Sequence, residues 1–215
     1  IAKYISYFLD DSMNRALSSF YLDEVSGSGL SVADYDFPSE TITAAKTILG
    51  KKGSGFIILY GEPGTGKTEL SKLLPSLCGK KTFFLKRHSL DNNEYFSNFI
   101  TALKLINNET EILVIDEADE LLNTEQRAND ITSFITNIAS GRPSKGILNQ
   151  LLDDFQGKII FITNRIGEIP VSFLRRMHMH IGFNPFNLKQ RKRIWESEFV
   201  EEKLLCKNEI NEFSL

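Results

Sequence analysis

The tightest constraint on the fold lies at residues 61–68. There Gly61-Glu62-Pro63-Gly64-Thr65-Gly66-Lys67-Thr68 joins an apolar run, GFIILY (55–60), to an amphipathic one, KTELSKLLPSL (67–77). The first run is rich in branched and aromatic residues and reads as a buried strand. The second places Leu70, Leu73, Leu74 and Leu77 at helical spacing, with Gly79 as a stop signal. Glycines between a strand and a helix let successive backbone N–H groups turn inward, and the helix start adds partial positive charge. A loop of this kind cradles phosphate. Lys67 is then expected to reach the β- and γ-phosphates of a nucleotide and the Thr68 hydroxyl to meet Mg²⁺. The bland alternative, a glycine turn that binds nothing, is disfavoured by the strand before the loop and the helix after it.

Beyond the loop the two periodicities alternate. SETITAAKTIL (39–49) reads as a capped helix, KTFFLKR (81–87) as a strand and NNEYFSNFITALKLI (92–106) as a helix. EILVID (111–116) follows as a strand, NTEQRANDITSFITNIAS (123–140) as a helix, GRPSKG (141–146) as a loop and ILNQLLDDF (147–155) as a short helix. KIIFIT (158–163) and HMHIGF (178–183) complete the strands. Strands alternating with helices imply an α/β fold, a parallel sheet covered on both faces. Ligands in such folds sit at the carboxyl ends of the strands. The loop at 61–68, Asp116 and Asn164 all fall at such ends. Residues 1–24 place Ile5, Leu9, Met13, Leu17, Phe20 and Tyr21 at approximate helical spacing, predicting an amphipathic helix packed on the core, and VSGSGLSV (25–32) reads as a linker.

ILVIDEADELL (112–122) ends its strand on two successive acids. Asp116 is placed to hold Mg²⁺, directly or through water, and Glu117 to orient and deprotonate a water aimed at the γ-phosphate. Acids after a strand can also simply begin the next helix, where negative charge is favourable; that is the reading for Asp119 and Glu120. The letters Asp-Glu-Ala-Asp at 116–119 do not make a helicase, because such an enzyme resembles two tandem motor domains and this chain has room for one.

Taken together these residues resemble the AAA+ family of ATPases, ring-forming members of the P-loop class, over roughly residues 37 to 200. Residues 61–68 match the Walker A segment and 112–117 Walker B. FITN, ending at Asn164, is similar to sensor 1, a side chain that hydrogen-bonds the γ-phosphate or the attacking water. IPVSFLRRMHMHIGF (169–183) resembles the arginine-finger segment, with Arg175 and Arg176 at the finger positions and Met177-His178 where Phe-Asp is usual. The resemblance implies a three-layer αβα sandwich whose parallel five-stranded sheet runs in the order 5-1-4-3-2. The domains expected are an N-terminal helix and linker (1–36), the ATPase core (37–187) and the start of a helical lid (188–215), truncated before any sensor 2. It also implies a homo-oligomeric hexameric ring in which an arginine, Arg176 being preferred, reaches the neighbour's ATP. The alternative for either arginine is a solvated pair or an intramolecular salt bridge. No aromatic-hydrophobic-glycine pore loop is present, and Tyr95 and Phe96 read as core residues.

The function expected is Mg²⁺-dependent ATP hydrolysis that remodels a macromolecule, a protein client being favoured. A nucleotide-dependent DNA-binding switch of the clamp-loader or initiator type is the alternative, and an ATP-holding scaffold without turnover is argued against by Glu117. A formal net charge of −3 opposes whole-domain attraction to nucleic acid or an anionic membrane. Nucleic acid is left as a contact of the basic run Lys189, Arg191, Lys192 and Arg193 only. No apolar run approaches the roughly 20 residues that span a bilayer. Cys78 and Cys206 lack metal-ligand spacing and read as reduced thiols. The expectation from these points is a soluble, cytoplasmic protein with no membrane partner, trimmed at its start because it begins with Ile1. His178 and His180 alternate along the last strand and lack a third metal ligand in sequence; His88 carries no signal.

Overall fold

Strands β2 (Gly55–Gly61), β4 (Glu111–Ile115) and β5 (Lys158–Thr163) set the architecture, because their side chains are buried on both faces. A strand of that kind belongs inside a parallel sheet with a layer on each side. The computed structural model describes residues 17–87, 92–122, 145–186 and 191–192, and shows that arrangement. Phe56, Ile58, Leu113, Ile115, Ile159 and Phe161 face one way. They meet α3 (Asn92–Leu105), α4 (Ala118–Leu122), α5 (Lys145–Asp154) and α6 (Val171–Leu174) through Tyr95, Phe96, Phe99, Leu121, Leu152 and Phe173. Ile57, Leu59, Ile112, Val114, Ile160 and Ile162 face the other way. There they meet Ile42, Ala45 and Leu49 of α1 (Ser39–Gly50) and Leu70, Leu73 and Leu74 of α2 (Lys67–Leu77). The period-2 alternation of each strand therefore feeds two cores, and the helical period of each helix closes one of them. Tyr95 and Phe96 are core residues, as their spacing suggests.

Among the described residues the sheet has six strands in the order β1-β3-β4-β5-β2-β6, with β1 at Leu22–Val25, β3 at Lys81–Leu85 and β6 at Met179–Phe183. Numbered from β2, its five parallel strands run 5-1-4-3-2, as the resemblance implies. The sixth strand corrects the reading of the N-terminal segment. Residues 17–21 are helical, but β1 (Leu22–Val25) is an antiparallel edge strand pairing Leu22 with Leu85. The unpaired edge of β3 supplies a full set of backbone partners, and this outweighs the helical spacing of the local sequence. Ion pairs from Glu24 to Lys81 (2.7 Å) and from Asp23 to Lys86 (2.9 Å) flank the added strand.

Two smaller differences concern helix starts. Helix α1 begins at Ser39 itself, preceded by Pro38, so no side chain caps it. Helix α5 begins at Lys145, inside the stretch read as a loop. The helix predicted over 123–140 lies outside the described residues. So does the lid segment apart from residues 191–192, which are helical, and so do residues 1–16, His88, Lys189, Arg193 and Cys206.

Candidate functional site

Strands β2, β4 and β5 end side by side, and the chain leaving each of them contributes to one cleft of about 310 Å³. Its walls are residues 63–69, which run from the loop after β2 into the first turn of α2, Asp116 and Glu117 after β4, and Ile162 and Asn164 at the end of β5. The loop is shaped by left-handed glycines. Gly64 (φ 73°) lies where an added Cβ meets nothing within 4 Å, and Gly66 (φ 86°) caps α2. An L-residue in the left-handed region costs roughly 1–2 kcal/mol. Gly61 is glycine for another reason: β6 passes so close that a Cβ would come within 2.4 Å of the Phe183 carbonyl oxygen. Gly61 and Glu62 thus stand behind the cleft rather than in its wall. Their carbonyls hold the key lysine.

The Lys67 ammonium, 5% exposed, donates to Gly61 O at 2.8 Å and Glu62 O at 2.6 Å. Thr65 Oγ1 also donates to Glu62 O, at 2.8 Å. Burial pulls the lysine pKa below its ordinary value, while the charges of Asp116 and Glu62 work in the opposite direction. The site therefore holds a cation whose lost hydration is only partly replaced. An arriving anion would complete the replacement.

Thr68 Oγ1 donates to Asp116 Oδ2 at 3.2 Å, so a hydroxyl from α2 and a carboxylate from β4 meet across 48 positions of sequence. Cis oxygens of an octahedral ion with 2.0–2.1 Å bonds stand about 2.9 Å apart, so this donor pair suits Mg²⁺ in both chemistry and spacing. The other carboxylate oxygen of Asp116 accepts from Glu117 N at 2.9 Å, and its carbonyl accepts from the Tyr95 hydroxyl at 3.2 Å. Glu117 itself sits at φ 51°, a strained conformation of the kind held at functional sites by well-packed surroundings. Its carboxylate pairs with Arg87 at 2.9 Å. Thr163 Oγ1 donates to Asp119 Oδ1 at 2.9 Å and accepts from Arg165 N at 2.9 Å, which fixes the turn carrying Asn164. Asp119 thus does more than begin a helix.

Arg175 and Arg176 stand outside the cleft, directly after the short helix α6. Arg176 makes a bidentate pair with Asp153 of α5 (2.7 and 2.8 Å) and donates to Ser172 O at 2.7 Å. The salt-bridge alternative therefore holds for Arg176. Arg175 is exposed, with no such pair among the described residues. The histidines make main-chain contacts. His178 Nδ1 accepts from Phe56 N at 3.1 Å and His180 Nε2 lies 3.1 Å from Leu174 O.

Sequence reasoning missed Arg87, Tyr95 and Tyr35. The one signal available for Arg87 was its position just past a strand that the expected order sets beside the Asp116 strand. Tyr35, whose hydroxyl donates to Gly66 O at 3.1 Å, lies between the stretch 25–32 read as a linker and the helix read from Ser39, in residues given no element.

Residues 57–185, more than half of the chain, match the model of a family described as "ATPase family associated with various cellular activities (AAA)". Among curated proteins, the outer mitochondrial transmembrane helix translocase of Danio rerio is 28% identical over 159 residues, covering 67% of this chain and 42% of its own length. The human protein of that name is 28% identical over 163 residues, covering 71% and 41% respectively. The chain spans about two-fifths of the length of these relatives. Among solved structures, the FIGL-1 AAA domain in complex with ADP superposes with a TM-score of 0.59 at 18% identity, covering 90% of this chain and 68% of that one. RuvB of Thermotoga maritima gives 0.53 at 18%, covering 77% and 49%. At that identity the likeness is one of fold.

These relatives overturn two expectations, the cytoplasmic location and the absence of a membrane partner, because their name ties them to the outer mitochondrial membrane and to transmembrane helices. The expectations rested on a net charge of −3 and on the lack of a long apolar run. Both are properties of a folded module. They carry no information about where a larger machine is anchored or what it moves. Among the described residues no helix is long and apolar enough to cross a membrane.

Proposed function

The chain belongs to the AAA family of ATPases, and from that premise we propose that it binds Mg·ATP in the cleft described above and uses hydrolysis to remodel a protein client. One observation carries the reading. A buried ammonium, a hydroxyl–carboxylate pair, a second carboxylate and an amide converge at the ends of three neighbouring strands. Phosphoryl transfer demands positioning and charge neutralisation rather than covalent chemistry, and this is what such a set supplies.

In this proposal the backbone N–H groups of residues 64–68 and the Lys67 ammonium bind the phosphates. Thr68 and Asp116 hold Mg²⁺, which when bound neutralises charge between the phosphates. Glu117 takes the proton of the attacking water, and Asn164 aligns that water. Arg175 serves as the finger toward a neighbouring subunit's nucleotide, since Arg176 is occupied by Asp153. A guanidinium supplied across an interface makes turnover conditional on assembly, and we place the module in a homo-oligomeric ring, hexameric in the full-length protein. The domain division proposed is a core over 37–187, an N-terminal segment 1–36 and a lid from 188. The names of the relatives favour a protein client, including segments drawn from a membrane, over a DNA switch.

The Glu117→Gln variant tests the assignment. It is expected to bind Mg·ATP in calorimetry as the wild type does and to hydrolyse it about 10²–10⁴-fold more slowly. Removal of Mg²⁺ with a chelator is expected to abolish wild-type turnover. Equal turnover by variant and wild type would remove Glu117 from its role. Absence of heat with either Mg·ATP or Mg·ADP on folded wild type would remove the site.

A further inference from the structure

The segment between β1 and α1 crosses the first turn of α2 and is pinned to it twice. Ser28 Oγ donates to Glu69 Oε2 at 2.9 Å, and the Tyr35 hydroxyl donates to the Gly66 carbonyl at 3.1 Å. Tyr35 is 8% exposed. Its ring stacks on Phe37 (centroids 5.9 Å apart, planes at 15°) and meets Phe183 edge-on at 6.3 Å. Its Cε1 stands 3.3 Å from the position a Cβ on Gly66 would take, with Phe186 Cζ at 3.4 Å from the same point. So the left-handed glycine that precedes Lys67 is roofed by two aromatic rings that lie far apart in sequence, Tyr35 and Phe186.

The Gly66 carbonyl also accepts from Leu70 N at 2.9 Å, the first helical bond of α2. Two donors from different directions fix the plane of that carbonyl. A peptide unit is planar and trans, so the N–H of the next residue points opposite to the carbonyl and is fixed with it. That N–H belongs to Lys67. It is among the first four of α2, which have no acceptor within the helix.

We propose that Tyr35 is a positioning residue for phosphate binding: its hydroxyl orients the Gly66–Lys67 peptide so that the Lys67 backbone N–H faces the cleft before nucleotide arrives. The proposal rests on the nucleotide reading of the cleft and deepens it. The hydroxyl is a dependable donor, because burial first, and then the charges of Glu69 and Asp34, push its pKa well above the ordinary tyrosine value. A buried tyrosine needs some hydrogen-bond partner in any protein. What singles this one out is that its partner is the peptide immediately before the phosphate-binding lysine. The register follows from the strap as a whole, since Ser28 and Tyr35 bracket the α2 start from two sides.

The test is Tyr35→Phe, which removes the hydroxyl and keeps the ring. Loss of one ordinary hydrogen bond corresponds to about a 2- to 12-fold change in an equilibrium constant. The expected result is a Kd for Mg·ADP raised about three- to tenfold. The ³¹P resonance of the β-phosphorus of bound ADP is expected to move, and the melting temperature of nucleotide-free protein to change little. A purely structural tyrosine would lower the melting temperature and leave the β-phosphorus resonance of the bound fraction where it is in wild type. That result, or a Kd within twofold of wild type with an unmoved resonance, overturns the proposal. Wild-type protein that gives no heat with Mg·ADP would instead overturn the nucleotide reading itself, so the two failures are distinguishable.

Discussion

Two glycines of the 61–68 stretch, Gly61 and Gly64, look equivalent in sequence and differ physically, and substituting each by alanine is expected to separate fold from nucleotide binding. At Gly61 a methyl group would sit 2.4 Å from the Phe183 carbonyl oxygen and 3.0 Å from Phe183 Cβ, in a backbone at φ 145°. Both neighbours belong to β6, which pairs there with β2, so relief requires the sheet edge to move. Backbone strain of about 1–3 kcal/mol and overpacking of similar size together suggest a loss of about 3 kcal/mol. For a domain of this size that lowers Tm by about 6–12 °C. At Gly64 the methyl meets no protein atom within 4 Å, and only the left-handed backbone (φ 73°) objects. The free loop escapes by relaxing, which turns N–H groups away from the cleft; binding must restore the strained form. That penalty, about 1–2 kcal/mol, weakens Mg·ADP by about 5- to 30-fold with little change in the Tm of nucleotide-free protein. Differential scanning fluorimetry and calorimetry on the two variants read both quantities. If Gly64→Ala binds ADP as wild type does, the inward-turned loop is not what holds phosphate. If Gly61→Ala melts as wild type does, the contact with β6 does not constrain that position.

The arginines separate in the same way. Arg175→Ala is expected to lower turnover of the assembled protein by about 10³-fold or more at unchanged Tm, whereas Arg176→Ala is expected to lower Tm by freeing Asp153, with a smaller effect on rate. The reverse pattern in melting and phosphate-release assays would exchange their roles. For His178, burial first and the charge of Lys158 second hold its pKa below the ordinary 6.5. The unfolded chain therefore takes up its proton first, and the stabilisation present above that value is lost as pH falls through the folded pKa. Tm is expected to fall as pH drops below about 6.5, and a His178→Gln variant to show a shallower fall. An unchanged slope in the variant would assign the acid sensitivity to other groups.

How much of this was legible in the sequence depended on the range over which each feature is determined. The glycine loop between β2 and α2 was legible because its determinants are local: strand, glycines, lysine and helix follow one another without a break. The Thr68–Asp116 contact was legible at one remove, since both residues end or follow strands and strand ends in a parallel sheet gather ligands. Strand β1 was not. Its four residues include two acids, and the helical spacing read over residues 1–24 runs on into it. Only the open edge of β3, a fact about the assembled sheet, makes it a strand. Arg175 and Arg176 are adjacent identical letters. What distinguishes them is Asp153, 23 residues earlier on another helix.

The pairing of Arg87 with Glu117 was half legible: the expected order already set β3 beside β4, but nothing in the local sequence gives Glu117 its left-handed backbone. The strain at Glu117 and the chain turns at Gly64 and Gly66 lie within a few residues of β4 and β2, whose central residues are fully buried. Strained conformations persist only where the surrounding packing over-determines them. The cleft adjoins the most deeply buried strands, so the core that makes the sheet also holds the loops around the cleft out of their local minima. The site and the core are thus separable by substitution at Gly64 or Glu117, whose side-chain positions meet the cleft. They are inseparable at Gly61, where the loop is still part of the sheet.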